Sequence, residues 1–256
     1  MNIRFLGTHN LESQSSRFVS LLIDGVLALD AGGLTADLSL SEQLRLKAVL
    51  LTHHHYDHIR DIPALAMNLF LQDAAIDIYS IQPVGDALNS HLLDGRLYPR
   101  FQEVPEGKPT VSFKTLTPLK SESIAGYDIL AVPVKHSVIA VGYQITDGNG
   151  KAVFFTGDTG PGLDAVWELV SPQLLVIEVT SSDKYSEWAA DAGHLTPCLL
   201  EQELTSFQKL KGYLPRVVTV HMNPMLIEEI ATGLTAVAKA LGASVTLAAE
   251  GMQIRL

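Results

Sequence analysis

Apolar and polar positions along this chain fall into two regimes. Before about residue 160, short apolar runs are separated by turns; beyond it, such runs alternate with stretches of helical periodicity. Ile3–Leu6, Phe18–Ile23 and Val26–Leu29 read as strands, and Asp24-Gly25 between the last two is a hairpin signal. Asp30-Ala31-Gly32-Gly33 then makes a flexible turn, and Ala48–Leu51 is a fourth buried run. From Asp57 to Phe70 the apolar residues Ile59, Ile62, Leu65, Ala66 and Leu69 recur at helical spacing, which predicts a helix. His91–Pro109 holds Gly95, Pro99, Pro105, Gly107 and Pro109 and reads as a long loop. Strands are expected again at Val111–Leu116, Ile129–Val134, Ile139–Ile145 and Ala152–Phe155. From Gly162 onward the pattern predicts a helix to Val170, a strand at Leu174–Ile177, a helix from Pro197 to about Leu210 and a strand at Val217–Val220. A helix from Asn223 to about Leu241 and a final β-region close the chain. Strands first, then strands interleaved with helices, predict an α/β (α+β) architecture of layered sheets with helices outside. No segment reads as a linker, so residues 1–256 are expected to form one domain, with room for a weak symmetry between the β-rich halves.

Composition narrows the function classes. With 47% apolar and 18% charged residues, the chain can bury a large core and is neither disordered nor fibrous. Its 28 acidic against 18 basic residues give a formal charge of −10, which repels phosphate backbones and disfavours nucleic acid or an anionic membrane as partner. The one cysteine, Cys198, has no intramolecular partner, which suits a reducing compartment. Neither a signal-like nor a membrane-length apolar stretch is present, so a cytoplasmic protein with a small-molecule substrate is expected. The apolar balance would tolerate a homodimer.

Chemistry concentrates at residues 53–58, where four of six positions are histidine. His53, His55, Asp57 and His58 spell His-x-His-x-Asp-His on a loop after a strand and before a helix. In extended backbone, His53 and His55 point the same way and can share one ion, with Asp57 and His58 turned to a second. Imidazole nitrogen and carboxylate oxygen suit Zn²⁺, Mn²⁺ or Fe²⁺. One segment supplies too few ligands for two divalent ions. His136, Asp158 and His221 each follow an apolar strand in the same way, and four such placements argue for one shared cleft.

This order of residues resembles the metallo-β-lactamase superfamily across almost the whole chain. Phe-Leu-Gly-Thr (5–8) and Leu-Asp-Ala-Gly-Gly (29–33) look like its early strand signatures. The resemblance implies a four-layer αββα sandwich with two metals between the sheet edges. Carried over, His53, His55 and His136 hold the first metal, Asp57, His58 and His221 the second, and Asp158 bridges them. His136-Ser137…Gly142-Tyr143 resembles ribonuclease Z-like phosphodiesterases, and Ile177-Glu178-Val179-Thr180 resembles their His-Glu-Ala-Thr motif with Ile177 in place of the histidine. Gly193-His194-Leu195-Thr196-Pro197 is similar to that group's His-x-Thr motif and to a stretch of class II cyclic nucleotide phosphodiesterases. A metal-dependent phosphodiesterase is thus implied, with Asp57 in the catalytic centre, His194 as general acid and Glu178 orienting it. Thr196, Ser137 and His9 are expected to touch substrate.

Two metals roughly 3.5–4 Å apart can hold a hydroxide for in-line attack on phosphorus. Only 22 positions separate His136 from Asp158, which leaves no room for the arm by which ribonuclease Z commonly holds transfer RNA. A small phosphodiester, with a 3′,5′-cyclic nucleotide as lead candidate, is therefore expected. The alternatives are a lactone or thioester hydrolase, a ribonuclease Z-like nuclease lacking the arm, and a non-catalytic metal-binding relative. Tyr56, Arg60 and Asp61 depart from the cyclic nucleotide pattern. Arg60 is expected to pair on a helix surface or meet phosphate, His54 to point away from the site, and Cys198 to pack in the core. The rings of the 91–109 loop are candidates for stacking on a base.

Overall fold

Period-two burial along the strands sorts the side chains to two faces and builds two seven-stranded sheets in the computed structural model, which describes residues 1–256. The strands are β1 (Asn2–Gly7), β2 (Ser20–Ile23), β3 (Leu27–Leu29), β4 (Ala48–Leu50), β5 (Ile76–Ser80), β6 (Val111–Thr115) and β7 (Ser121–Ile124). There follow β8 (Tyr127–Val134), β9 (Ala140–Thr146), β10 (Ala152–Phe155), β11 (Leu174–Glu178), β12 (Arg216–Val220), β13 (Val245–Leu247) and β14 (Gln253–Arg255). The first sheet runs β14-β1-β2-β3-β4-β5-β6 and the second β13-β12-β11-β10-β9-β8-β7.

The helices are α1 (Leu34–Asp37), α2 (Leu40–Gln43), α3 (Tyr56–Ile59), α4 (Ile62–Phe70), α5 (Gln82–Ala87), α6 (Asp164–Leu169), α7 (Ser186–Ala192), α8 (Pro197–Lys211) and α9 (Ile227–Leu241). One buried cluster joins Phe5, Leu21 and Val49 of the first sheet to Ile129, Tyr143, Val153, Val176 and Val218 of the second, so it fills the space between them. It also takes in Leu65 and Leu69 of α4. A second cluster packs the opposite faces of β10, β11 and β12 (Phe154, Leu175, Ile177, Val217) against Trp167, Leu204, Phe207 and Leu234 of α6, α8 and α9. Adjacent residues such as Val153 and Phe154 thus enter different cores. Helices outside, sheets inside: the four-layer sandwich is as expected.

The anticipated symmetry is present in the strand pairing. β1-β2-β3 are antiparallel and β3-β4-β5-β6 parallel, and β8-β9-β10 and β10-β11-β12-β13 repeat the pattern in the second sheet. β14 and β7 each add one antiparallel edge strand.

Several elements differ from the sequence reading. The Asp57–Phe70 helix is broken into α3 and α4, because Pro63 sits in the first turn of α4 and has no N–H to continue a helix through it. Asp61, at the break, accepts the Thr35 backbone N–H at 2.7 Å and Arg60 Nε–H at 2.9 Å. α9 starts at Ile227 instead of Asn223, whose side chain accepts the Met225 N–H in a turn. β9 starts at Ala140, leaving Ile139 exposed. β5, β7, α5 and α7 were not expected, although Ile-Asp-Ile-Tyr alternates with strand period. In the 91–109 loop, Phe101 is wholly buried with its ring 5.6 Å from that of Phe70, so it packs a core and is not free to stack on a base. No helix is long and apolar enough to cross a membrane.

Candidate metal centre

The residues singled out in four separate segments converge. The loop after β4 brings His53, His55, Asp57 and His58; His136 follows β8, Asp158 follows β10 and His221 follows β12. Ligand atoms of His53, His55, His136 and Asp158 lie within 4.8 Å of one another, and so do those of Asp57, His58, Asp158 and His221. Asp158 is common to both groups. Its Oδ1 lies 3.2 Å from His58 Nε2, and its Oδ2 lies 3.3 Å from His221 Nε2 and 3.9 Å from both His53 Nε2 and His136 Nε2.

Hydrogen bonds behind the cluster fix which nitrogen faces it. Thr52 Oγ1 donates to Asp30, at 2.9 Å to Oδ2, and so accepts from His53 Nδ1–H at 3.0 Å. Thr180 Oγ1 donates to Glu178 Oε2 at 2.8 Å and accepts from His221 Nδ1–H at 2.7 Å. His58 Nδ1–H donates to Asp30 Oδ2 at 2.8 Å, and His136 Nδ1–H to the Gly193 carbonyl at 2.9 Å. Each of these four rings therefore presents Nε2 with its lone pair inward, the orientation that outer hydrogen bonds impose on metal-binding histidine. Among the atoms so aimed, His53 Nε2, His58 Nε2 and Asp158 Oδ1 are buried without a hydrogen-bond partner. Buried polar atoms left unpaired cost about 1–3 kcal/mol each. Divalent cations satisfy all of them, and the nitrogen and oxygen donors fit such ions.

Electrostatics point the same way. Burial lowers the pKa of His53, His55 and His136, keeping these imidazoles neutral. Burial opposes ionisation of Asp57 and Asp158 too, but the surrounding histidines outweigh it and hold both well below the usual carboxylate range. His58 is pushed up against its own burial by Asp158, Asp30 and Asp57. Three carboxylates around one imidazole make a place for positive charge.

Glycine permits the close approaches. A Cβ on Gly32 would stand 2.0 Å from the Asp57 carbonyl oxygen, so the turn after β3 can touch the histidine loop only as glycine. Gly193 has φ +80°, and a Cβ there would lie 3.0 Å from His136 Cα.

His194 stands at the rim. Its Nδ1 donates to Glu178 Oε1 at 2.7 Å, and its ring stacks on His221 (centroids 5.4 Å, 18°) and meets His136 edge-on at 5.1 Å. Burial pulls His194 down, but the charge and hydrogen bond of Glu178 outweigh it and push it up to about 9. Glu178, wholly buried, also accepts the backbone N–H groups of Thr159, Thr180 and Leu195.

The expectations for Thr196 and Cys198 need correction. Thr196 is fully buried, its hydroxyl 3.1 Å from Ser186 Oγ and 3.3 Å from Cys198 Sγ, so it braces the start of α8 and does not face the cluster. Cys198 itself is half-buried beside these hydroxyls, outside the core. Ser137 is exposed with Oγ 3.4 Å from His136 Nε2. The His9 backbone pairs with Met222, next to His221, but its Nδ1 lies 3.5 Å from Glu250. Arg60 is held by Glu12 and Asp61 and lies over the Phe18 ring, committed to ion pairs. His54 stands outside both groups. The residues missed from the sequence are Asp30, Thr52, Thr180 and Gly193. Each lies within three positions of a residue that was named or in a motif that was noted, but its role depends on a contact with another segment.

The model of the β-lactamase superfamily domain matches residues 21–222. Ribonuclease Z of Pyrococcus horikoshii is 24% identical over 222 residues, which cover 77% of this chain and 69% of that protein. Ribonuclease Z of Pyrococcus abyssi is 26% identical over 167 residues, 60% of this chain and half of that protein. Among solved structures, unliganded yeast PDE1 superposes with a TM-score of 0.84 at 16% identity over 100% of this chain and 99% of that one. The metallo-β-lactamase fold protein YhfI of Bacillus subtilis gives 0.78 at 17% identity, covering 99% of each chain. Human tRNase Z, short form, gives 0.72 at 21% identity, covering 100% of this chain and 99% of that one.

Proposed function

The chain belongs to the β-lactamase superfamily, and from that premise we propose that it is a two-metal hydrolase of small phosphodiesters, with 3′,5′-cyclic nucleotides as lead substrates. The observation that carries the reading is the Glu178–His194 pair at the edge of the ligand cluster. His53, His55, His136 and Asp158 would hold one divalent ion, and Asp57, His58, His221 and Asp158 the other. Such a pair of ions supplies a nucleophile from water at neutral pH and neutralises phosphoryl oxygens during in-line displacement.

This chain's own residues supply the rest. Asp57 and Asp158 bring negative charge to the cluster, and Asp30, Thr52 and Thr180 keep the histidine lone pairs inward. His194 Nδ1 is committed to Glu178, so Nε2 is the nitrogen that hands a proton to the departing alkoxide. A phosphodiester alkoxide leaves poorly without that proton, and a group held at about 9 is charged at neutral pH. Hydrolysis of a thioester or an aryl ester, whose leaving group departs without a proton, makes less use of such an acid, so the pair favours substrates that expel an alkoxide, phosphodiesters among them.

The ribonuclease Z relatives favour a second reading, a ribonuclease Z-like nuclease lacking the transfer RNA arm. Against it stand the charge of −10 and the short His136–Asp158 interval, filled by β9, β10 and one turn. The test is hydrolysis of 3′,5′-cyclic AMP, a 3′-extended transfer RNA and an aryl ester by the Zn²⁺- or Mn²⁺-loaded protein, with Asp57→Ala and His194→Ala as controls. Cyclic AMP turnover that vanishes in Asp57→Ala and falls steeply in His194→Ala supports the proposal. Preference for the RNA or the ester defeats it.

A further inference from the structure

A cavity of about 450 Å³ opens among Ser181, Tyr185, Trp188, Asn223, Met225 and Leu226. Its walls grow from the segments that carry Glu178, His194 and His221. Ser181 follows Thr180, which bonds both Glu178 and His221; Asn223 lies two residues past His221 and donates its N–H to the Thr180 carbonyl at 3.0 Å. Trp188 lies on α7, where the carbonyl of the next residue, Ala189, accepts the His194 N–H at 2.7 Å. The cavity is thus walled by segments that are hydrogen-bonded to those carrying the Glu178–His194 pair and His221.

Its lining is unusual for a surface. Met225 is 82% exposed, Trp188 60% and Tyr185 48%, so two aromatic faces and a thioether are left to water in one hollow. Asn223 Oδ1 accepts the Met225 N–H at 2.9 Å, which leaves its NH₂ as a donor. Adjoining hollows carry Asp183, Glu187, Glu228 and Glu229, and the one lysine among them, Lys184, is paired to Glu229 at 2.7 Å. That rim repels further negative charge.

We propose that this cavity is the subsite for a planar, uncharged aromatic ring carried on the departing side of a monoanionic phosphodiester. Trp188 and Tyr185 give the ring its stacking faces, Asn223 bonds an acceptor on its edge, and the acidic rim excludes substrates with additional phosphates. The phosphate belongs to the function proposed above; the ring pocket stands on its own lining.

Trp188 provides its own reporter, since the only other tryptophan, Trp167, is wholly buried. The experiment is titration of the Zn²⁺-loaded full chain with adenosine and with ribose 5-phosphate, followed by tryptophan fluorescence. Adenosine is expected to quench saturably and ribose 5-phosphate not to. Tyr185→Ala and Met225→Ala should each raise the adenosine Kd about 5-fold or more, from the strength of base–aromatic and apolar contacts. No saturable quench, equal quenching by ribose 5-phosphate, or an unchanged Kd in both variants overturns the pocket. Saturable binding by a chain that cleaves no phosphodiester upholds the pocket and defeats the function. Cyclic AMP turnover with kcat/KM unchanged in both Trp188→Ala and Tyr185→Ala does the reverse.

Discussion

Replacing Thr180 by valine isolates one hydroxyl on which the orientation of His221 depends. Valine keeps the branched shape, but the hydroxyl that links Glu178 Oε2 (2.8 Å) to His221 Nδ1 (2.7 Å) is lost. Glu178 is not orphaned, because Oε2 retains the Thr180 and Leu195 N–H groups and Oε1 retains His194. The loss falls on His221, which is 3% exposed and has no other acceptor for Nδ1–H. A buried donor without a partner costs about 1–3 kcal/mol, which for a chain of this size lowers Tm by roughly 2–4 °C per kcal/mol. Freed of its fixed tautomer, His221 should also hold metal more weakly, by about 10–100-fold for loss of such an outer contact. The effect should be confined to the Asp57–His58–His221 group. Thr52→Val is the mirror experiment, since it strips the same support from His53 and should weaken the His53–His55–His136 group instead. Competition with a chromophoric chelator, with metal content read by mass spectrometry, should give one tight and one weakened ion in each variant. Equal affinity to the parent, or both ions weakened alike in both variants, would refute the reasoning.

Other outcomes follow from the same geometry. The pKa of His194 is raised from 6.5 to about 9, so its charged pairing with Glu178 is fully present below pH 6.5 and is lost as pH rises through 9. Cleavage of a diester with a poor leaving group should therefore fall above pH 9, and Glu178→Gln should move that limb toward 6.5 in the pH–kcat/KM profile. A p-nitrophenyl ester, whose leaving group needs no proton, should not respond. Gly193→Ala forces a side chain into left-handed backbone against His136 and should lower the urea unfolding free energy by about 1–3 kcal/mol, with a parallel loss of metal affinity. Removing metal with a chelator should lower Tm by several degrees and restoring Zn²⁺ should recover it; in Asp158→Ala, which removes the ligand common to both groups, added Zn²⁺ should recover much less.

The sequence exposed most of this site because metal chemistry demands particular residue types at strand ends. His53 to His58 stand out by composition alone, and His136, Asp158 and His221 by following apolar runs. Glu178 and His194 were legible through short motifs. Thr196 shows the limit: it shares the His194 motif, yet two residues further along the chain its side chain turns into the start of α8 toward Ser186. Pro63 and Asp61 show another, since the apolar spacing from Ile59 to Leu69 runs across a break set by proline and by the Thr35 N–H. Asp30 was visible as part of a turn and of the 29–33 signature but without a role, because nothing local says that it accepts from His58, 28 residues away.

What the sequence alone determined is therefore the layered α/β class, the order of most strands and which histidines and aspartates are candidates for the cluster. These depend on periodicities of two and 3.6 and on residue chemistry, both of which are local. The tertiary structure decided what requires distant segments to meet. It repeats one strand pairing in two sheets, brings four loops to one cluster, fixes His58, His136 and His221 by partners from distant segments and leaves Tyr185, Trp188 and Met225 around one hollow. Hydrogen bonds and aromatic contacts act over a few ångströms in space, and that proximity is set by packing the two sheets face to face.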